Sequence, residues 1–187
     1  MNLTDTQRKF VLHWGEMGTK WGVNRTVAQI HALLYIAGRP LNAEEIADTL
    51  TVARSNVSNS LRELQSWGIV RVTHKLGDRC DYFETLTDVW EIFRIVMNER
   101  KRREIDPTIR VLRECVAELK TSGSPDDMTR DRLGELLTFI EFMSTWYERM
   151  RVLPPRTLET MAKLGGKLES LLAGFTGKKG KAPGETG

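Results

Sequence analysis

The chain has 187 residues, 40% of them apolar and 28% charged, which is the make-up of a soluble globular protein with room for one domain or a small domain carrying appended helices. No stretch approaches the roughly 18 uninterrupted apolar residues of a membrane helix. The opening MNLTDTQRKFVLHW is polar and acidic where a secretory signal has its apolar centre, so residence in the cytoplasm, with no membrane partner, is expected. Cys80 and Cys115 lie far apart in unlike contexts, which fits a reducing compartment better than a disulfide framework. The net charge of +3 does not by itself announce nucleic acid.

Residues 3 to 21 carry Leu3, Phe10, Trp14, Met17 and Trp21 at a period near 3.6, the pattern of an amphipathic helix that Gly22 ends. Asn24 can cap the next helix, whose face is Val27, Ile30, Leu34 and Ala37 and which stops at Gly38-Arg39-Pro40. Asn42 followed by Glu45 reads as a variant capping box for a short helix that buries Leu41, Ile46 and Leu50. Thr51-Val52-Ala53 is the turn. The next helix buries Val57, Leu61 and Leu64 and ends at Gly68. Ile69 to Lys75 reads as a strand, Leu76-Gly77-Asp78 as a turn and Cys80 to Phe83 as the returning strand.

Helical periodicity resumes at Thr87 with Val89, Ile92, Phe93, Val96 and Met97. It continues as a heptad-like seam of Ile105, Ile109, Leu112, Val116 and Leu119, about two heptads long, that partner helices must complete. Asp106-Pro107 interrupts this run and predicts a kink, or a restart with Asp106 as cap. After a loop over 121–125, a helix of about 128–150 presents Leu133, Leu136, Ile140, Met143, Tyr147 and Met150. Pro154-Pro155 breaks it, and a last helix carries Leu158, Met161, Leu164, Leu168, Leu171 and Phe175. The tail GKKGKAPGETG has no apolar period and is expected to be disordered.

Helix, turn, helix and basic hairpin in this order make a winged helix-turn-helix. The fold class is mainly α with a small β-hairpin wing and a helical dimerisation region. The expected boundaries are an N-terminal helix of the dimer body over 1–23, a DNA-binding domain over 24–86, the dimerisation region over 87–175 and a tail over 176–187. Charge placement points to DNA. From Thr51 to Arg79 there are five bases, Arg54, Arg62, Arg71, Lys75 and Arg79, against two acids, Glu63 and Asp78, while Glu44, Glu45 and Asp48 lie on the preceding helix.

A helix entering the major groove needs small side chains near base edges. Ser55, Ser58 and Ser60 are small, Asn56 and Asn59 can pair with adenine edges, and Arg54 and Arg62 can reach guanine or phosphate. A merely solvated face more often carries Glu, Lys and Ala, which are better helix formers. At the hairpin tip Arg79, with Lys75 nearby, can enter a minor groove. Gly77 makes the turn there, and Asp78 can orient Arg79 through a charge-assisted hydrogen bond; the bland reading is an exposed turn with an ordinary ion pair.

The remaining candidates point elsewhere or nowhere. The run Glu99-Arg100-Lys101-Arg102-Arg103-Glu104 can add a phosphate contact, but a solvated face is its default. Lys178, Lys179 and Lys181 read as a solubilising end. Cys80 is most simply a strand cysteine and Cys115 a core one. His13, His31 and His74 lack ligand spacing, so no metal and no cofactor is expected. With no phosphate loop, nucleophile elbow or catalytic carboxylate pair, the chain reads as no enzyme.

The run LLYIAGRPLNAEEIADTLTVARSNVSNSLRELQSWGIVRVTHKLGDRCDYFETLTDVWEIF resembles the MarR superfamily of regulators, and especially its GbsR-type branch through NVSNSLRELQSWGIV, GDRCDYFE and the TDVWEI helix. The resemblance covers about residues 10 to 97. It implies a homodimer whose body is built from helices at both chain ends, binding to a pseudo-palindromic operator, and release by a small-molecule effector. By position, Arg54 to Arg62 match the recognition helix and Gly77-Asp78-Arg79 the wing. Members resembling this branch respond to choline-like compounds, and aromatic faces bind quaternary ammonium groups. Trp14, Tyr35, Trp90, Phe93 and Trp146 are therefore candidates for an effector pocket, although aromatics at helical spacing more often pack. The expected function is a transcriptional repressor whose partners are double-stranded DNA, a second copy of itself and a small effector. The alternative is a winged-helix module that binds protein instead of DNA.

Overall fold

The computed structural model describes residues 1–121 and 127–176, with side chains to residue 165. The expected tail with its lysines, and the side chains of Leu168, Leu171 and Phe175, lie outside the described residues, as does most of the loop over 121–125. Two compact units divide the chain, one over Met1–Glu104 and one beginning at Ile105.

The first unit opens with α1 (Asp5–Lys20), where Thr4 and Gln7 form a reciprocal capping box. Next comes α2 (Arg25–Ala37), started by the Asn24 side-chain carbonyl accepting the Thr26 N–H at 2.8 Å and ended by Gly38 in the left-handed region. The two helices approach closely at Gly18, where an added Cβ would stand 2.5 Å from the Cβ of Ala28. The short α3 (Ala43–Leu50) has the expected box, with Asn42 and Glu45 each accepting the other's backbone N–H. Arg39 pairs with the same Glu45 carboxylate at 2.8 Å, and this bond foremost holds that carboxyl below its usual range. Thr51 then takes φ 55°, an unusual conformation for a residue with a branched side chain, to make the turn into α4 (Arg54–Trp67). Gly68, at φ 80°, ends α4 as expected.

A three-stranded antiparallel sheet follows, in the order β1 (Leu41–Asn42), β3 (Tyr82–Thr85), β2 (Val70–Thr73). β3 begins two residues later than the hairpin pattern predicts. The reason is local: the Cys80 N–H donates to the Asp78 carboxylate at 2.9 Å, so it serves the turn and not the ladder. The ladder starts where Tyr82 faces Thr73 on one side and Asn42 on the other. The core lies between α2, α3, α4 and this sheet. Ile30, Leu33, Leu41, Ile46, Val57, Leu61 and Leu64 are all but removed from solvent, each burial contributing roughly 1.5–3 kcal/mol.

Asp88 caps α5 (Val89–Arg100) through the N–H groups of Trp90 and Glu91. At Asp106-Pro107 the disturbance expected from the proline includes a change of helical winding. Lys101–Ile105 winds as a π-helix and α6 (Asp106–Thr121) begins directly after it. A wider turn is one way to accommodate the proline ring and its missing N–H without leaving helical geometry. In the second unit α6 buries Ile109, Leu112 and Val116 and packs against α7 (Asp127–Met150), with Arg113 paired to Glu141 at 2.6 Å. No residue of α7 is buried, and Phe139, Phe142, Met143 and Trp146 stand exposed on it. The last helix described is α8 (Pro155–Thr176).

This packing can be tested at two glycines and one histidine. At Gly18 both neighbours are rigid, so Gly18→Ala is expected to lower stability by about 1–3 kcal/mol. Gly134 is helical too but has nothing within 4 Å, so Gly134→Ala is expected to stabilise by about 0.5–1 kcal/mol. Urea midpoints moving the same way for both would sink this reading of the α1–α2 contact. His31 on α2 has its Nε2 buried with no hydrogen-bond partner, and burial lowers its pKa from 6.5 to about 4. Between these values the unfolded chain binds the extra proton and the folded chain does not. Stability is therefore expected to fall as pH drops through 6.5 and to stop changing below about 4, by roughly 3 kcal/mol at most. His31→Leu should flatten that slope in urea titrations from pH 7 to 4; equal slopes in both proteins would assign the pH dependence to other groups.

Candidate nucleic-acid interface

Helical geometry sorts the side chains of α4. Val57, Leu61 and Leu64, with Ser60, face the core. Arg54, Ser58 and Arg62, four residues apart, form an outer stripe. They line an open groove of about 490 Å3 together with Arg79 of the hairpin, with Glu44 and Asp81 also on its lining. Asn56 and Asn59 border a second depression, of about 230 Å3, shared with Asn24 and Thr26 at the start of α2. Ser55 is exposed and lines neither. Ser60, expected with the other serines near base edges, is instead buried with the apolar stripe, while the other residues singled out on α4, apart from Ser55, front two recesses.

Local bonds set how free these groups are. The Ser58 hydroxyl donates to the Arg54 carbonyl at 3.1 Å, and Arg62 donates to the Asn59 side-chain oxygen at 2.6 Å. Arg54 and Arg79 make no ion pair and no side-chain hydrogen bond among the described residues. Two cations from different elements therefore line one groove without a described internal partner.

The hairpin tip is tied down from within. Gly77, at φ +81°, turns the chain. The Asp78 carboxylate accepts from the Cys80 N–H and, at 2.7 Å, from the Tyr82 hydroxyl, and Lys75 places its ammonium 3.7 Å from the centroid of the Tyr82 ring. Asp78 thus orients the loop through Cys80 and Tyr82; the bond to Arg79 expected from the sequence is not formed. The Cys80 N–H foremost, then the Tyr82 hydroxyl, hold the Asp78 carboxyl below its usual range. The same carboxylate pushes the Cys80 thiol above its own, the opposite of what a reactive thiolate needs. Across the strands Arg71 pairs with Glu84 at 2.6 Å.

The basic run near residue 100 is engaged inside its own unit. Glu99 accepts from Arg102 and Arg103, and Arg103 also reaches Glu63 on α4 at 3.7 Å and lies 5.3 Å from the Trp67 ring centroid. Arg100 donates to the Trp21 carbonyl at 2.7 Å.

Of the aromatics proposed for an effector pocket, the four in the first unit do not share one cavity. Trp14 lines an apolar cavity of about 90 Å3 with Trp21, His31, Leu64, Trp67 and Val96 among its walls. Tyr35 stands beside His31, ring centroids 6.3 Å apart. Trp90 and Phe93 are exposed on α5 outside that cavity, and Trp146 belongs to the second unit. His31 and Trp67 were not legible as lining residues. Trp67 follows Leu64 by three positions, which signals a shared face and nothing about a cavity. Among the described residues no group of three or more His, Cys, Asp or Glu is placed to hold a metal ion, and no helix is long and apolar enough to cross a membrane.

Known proteins share parts of this chain. The model of the MarR family matches residues 21–79, from the end of the first helix to the hairpin tip. The HTH-type transcriptional repressor GbsR of Bacillus subtilis is 21% identical over 134 residues, 70% of this chain and 74% of that protein. Among solved structures, a transcriptional regulator with 20% identity aligns over 77% of this chain and 99% of its own, at a TM-score of 0.49. A mutant of S. aureus MepR bound to oligodeoxyribonucleotide, 18% identical, covers 89% of this chain and 92% of its own at a TM-score of 0.36. The part of the chain that matches the MarR family model, residues 21–79, is the part that folds as a winged helix-turn-helix.

Proposed function

We propose that the protein represses transcription by binding a pseudo-palindromic operator as a homodimer, and that a small effector releases it. The observation that carries this reading is the groove in which Arg54, Ser58 and Arg62 on α4 face Arg79 on the wing, with Arg54 and Arg79 unpaired among the described residues. A helix of this width enters the major groove, while an arginine at a hairpin tip suits the narrow minor groove beside it. Ser55, Asn56 and Asn59 read base edges, Arg54 and Arg62 reach guanine or phosphate, and Lys75 and Arg79 anchor the wing that Gly77 and Asp78 shape. Residues 24–86 are the DNA-binding domain in this reading.

One such domain makes few contacts; two, with recognition helices about 34 Å apart, make an operator reader. Residues 1–23 and 87–175 supply the dimer body. Support for it comes from α7, where Phe139, Phe142, Met143 and Trp146 remain exposed. A contiguous apolar face of this kind on a helix is more often a contact surface than free surface. Repression is the sign of regulation in the GbsR relative.

Operator selection from random DNA followed by fluorescence anisotropy tests the proposal. Arg79→Ala is expected to weaken binding on all sequences alike and to reduce the slope of log affinity against log salt by about 1. Asn56→Ala should instead relax the preference at individual base pairs, about 5- to 150-fold for a contact worth roughly 1–3 kcal/mol. The absence of salt-sensitive, sequence-selective binding by the wild-type chain would overturn the reading and return the winged helix to a protein-binding role. For the dimer, Phe139→Asp with Phe142→Asp is expected to shift the sedimentation coefficient to that of a monomer and to cost at least about tenfold in operator affinity through lost avidity. A double variant that sediments like the wild type would place the dimer contact elsewhere.

A further inference from the structure

We propose that Leu76, at the tip of the β2–β3 hairpin, is an apolar wedge that enters the DNA minor groove between two base pairs and kinks the operator there. The inference rests on the operator-binding reading above. It adds to that reading a residue that selects sequence through the deformability of DNA, with no hydrogen bond to a base.

Leu76 is fully exposed, more so than any other large apolar side chain among the described residues. The other large apolar side chains of the hairpin are covered: Ile69, Val70, Tyr82 and Phe83 are buried, and Val72 packs against the core. The turn itself does not call for a leucine. It runs from Lys75 to Asp78, with the Asp78 N–H donating to the Lys75 carbonyl at 3.1 Å and Gly77 in third place at φ +81°. A positive φ there requires glycine, whereas the second place, where Leu76 stands, asks only for an ordinary residue or proline.

The loop that carries Leu76 is tied down from within. The Asp78 carboxylate accepts from the Cys80 N–H and the Tyr82 hydroxyl, and the Lys75 ammonium stands 3.7 Å from the centroid of the Tyr82 ring. A side chain that parts stacked bases needs such a mount, because a slack loop would lose freedom on insertion and weaken binding by that amount.

The surroundings of Leu76 decide the class of partner. A protein contact is built on a contiguous apolar patch, and the residues that follow and precede Leu76 on the tip are Lys75, Gly77, Asp78 and Arg79. One apolar side chain among cations suits a polyanion with an apolar interior. Lys75 and Arg79 supply the charge that phosphates attract, and the faces of stacked bases give Leu76 an apolar surface to cover. Leucine inserted from the minor groove partly unstacks a base step and kinks the duplex by roughly 20–90°. TA and CA/TG steps yield most easily, so these are the steps that Leu76 selects.

The test uses the full chain and operator duplexes obtained by selection from random DNA. The duplexes are end-labelled for energy transfer and carry 2-aminopurine, which brightens when unstacked, at the adenine of each TA or CA step in turn. The wild type is expected to brighten one such step in each half-site and to bring the duplex ends closer. The preference for that step should survive Asn56→Ala. Leu76→Ser changes an exposed position and should melt at the wild-type temperature. It should abolish both optical signals and weaken operator binding about tenfold, as the apolar burial is lost. It should leave the slope of log affinity against log salt unchanged, since no charge is removed. Leu76→Met, still apolar, should restore the brightening and the bend. A wild-type complex in which no step brightens overturns the wedge, and so does a Leu76→Ser complex with wild-type brightness, bend and affinity. Either result leaves operator binding standing. Absence of selective DNA binding by the wild type instead sinks the regulator reading and the wedge with it.

Discussion

The rotation of α4 about its own axis is the constraint on which the functional surface depends. Val57, Leu61 and Leu64 point into the core, against α2 and the sheet. Because a helix repeats every 3.6 residues, that choice leaves Arg54, Ser58 and Arg62 no direction but outward. Turning the helix by one residue would bury an arginine and expose a leucine, with a loss far above the energy of any single surface contact. The outer face of α4 therefore has an orientation fixed by the core behind it, and it is as rigid as that packing.

The wing depends on a different kind of order. It has almost no core of its own, and its stiffness comes from polar bonds around Asp78. One carboxylate takes the Cys80 N–H and the Tyr82 hydroxyl, Gly77 supplies the turn, and Lys75 covers the Tyr82 ring. Arg79 emerges from this knot without a described internal partner. The groove between α4 and the wing thus joins two surfaces that are positioned by unlike forces, apolar packing on one side and hydrogen bonds on the other.

Much of the fold was legible because its signals are local. Asn24, the Asn42/Glu45 box and Gly68 act within one turn of where they stand, and the structure has each in that place. The α4 stripe was readable from its period. Three features were not. β1 is two residues long and exists only because β3 lies beside it. The start of β3 is set by where the Asp78 carboxylate spends its bonds, which the alternation of side chains does not encode. Asp106-Pro107 announced a disturbance, but a π-helical turn, a kink and a restart all relieve the same missing donor. The aromatics show the same limit. Periodicity placed Trp14 on an inward face, yet could not tell that Trp67 and His31, from other helices, would meet it while Trp90 and Phe93 would not.

The amino-acid order by itself determined the element sequence, the caps, the inward stripe of α4 and the concentration of cations on that helix and the hairpin, since each depends on residues within a few positions of one another. Only the tertiary structure decided that Arg54 and Arg79 stay unpaired among the described residues, that Arg54, Ser58 and Arg62 share a groove with Arg79, and that His31 and Trp67 line one cavity. Those are relations between segments tens of residues apart. Burial and competing partners, which the linear order does not contain, settle them.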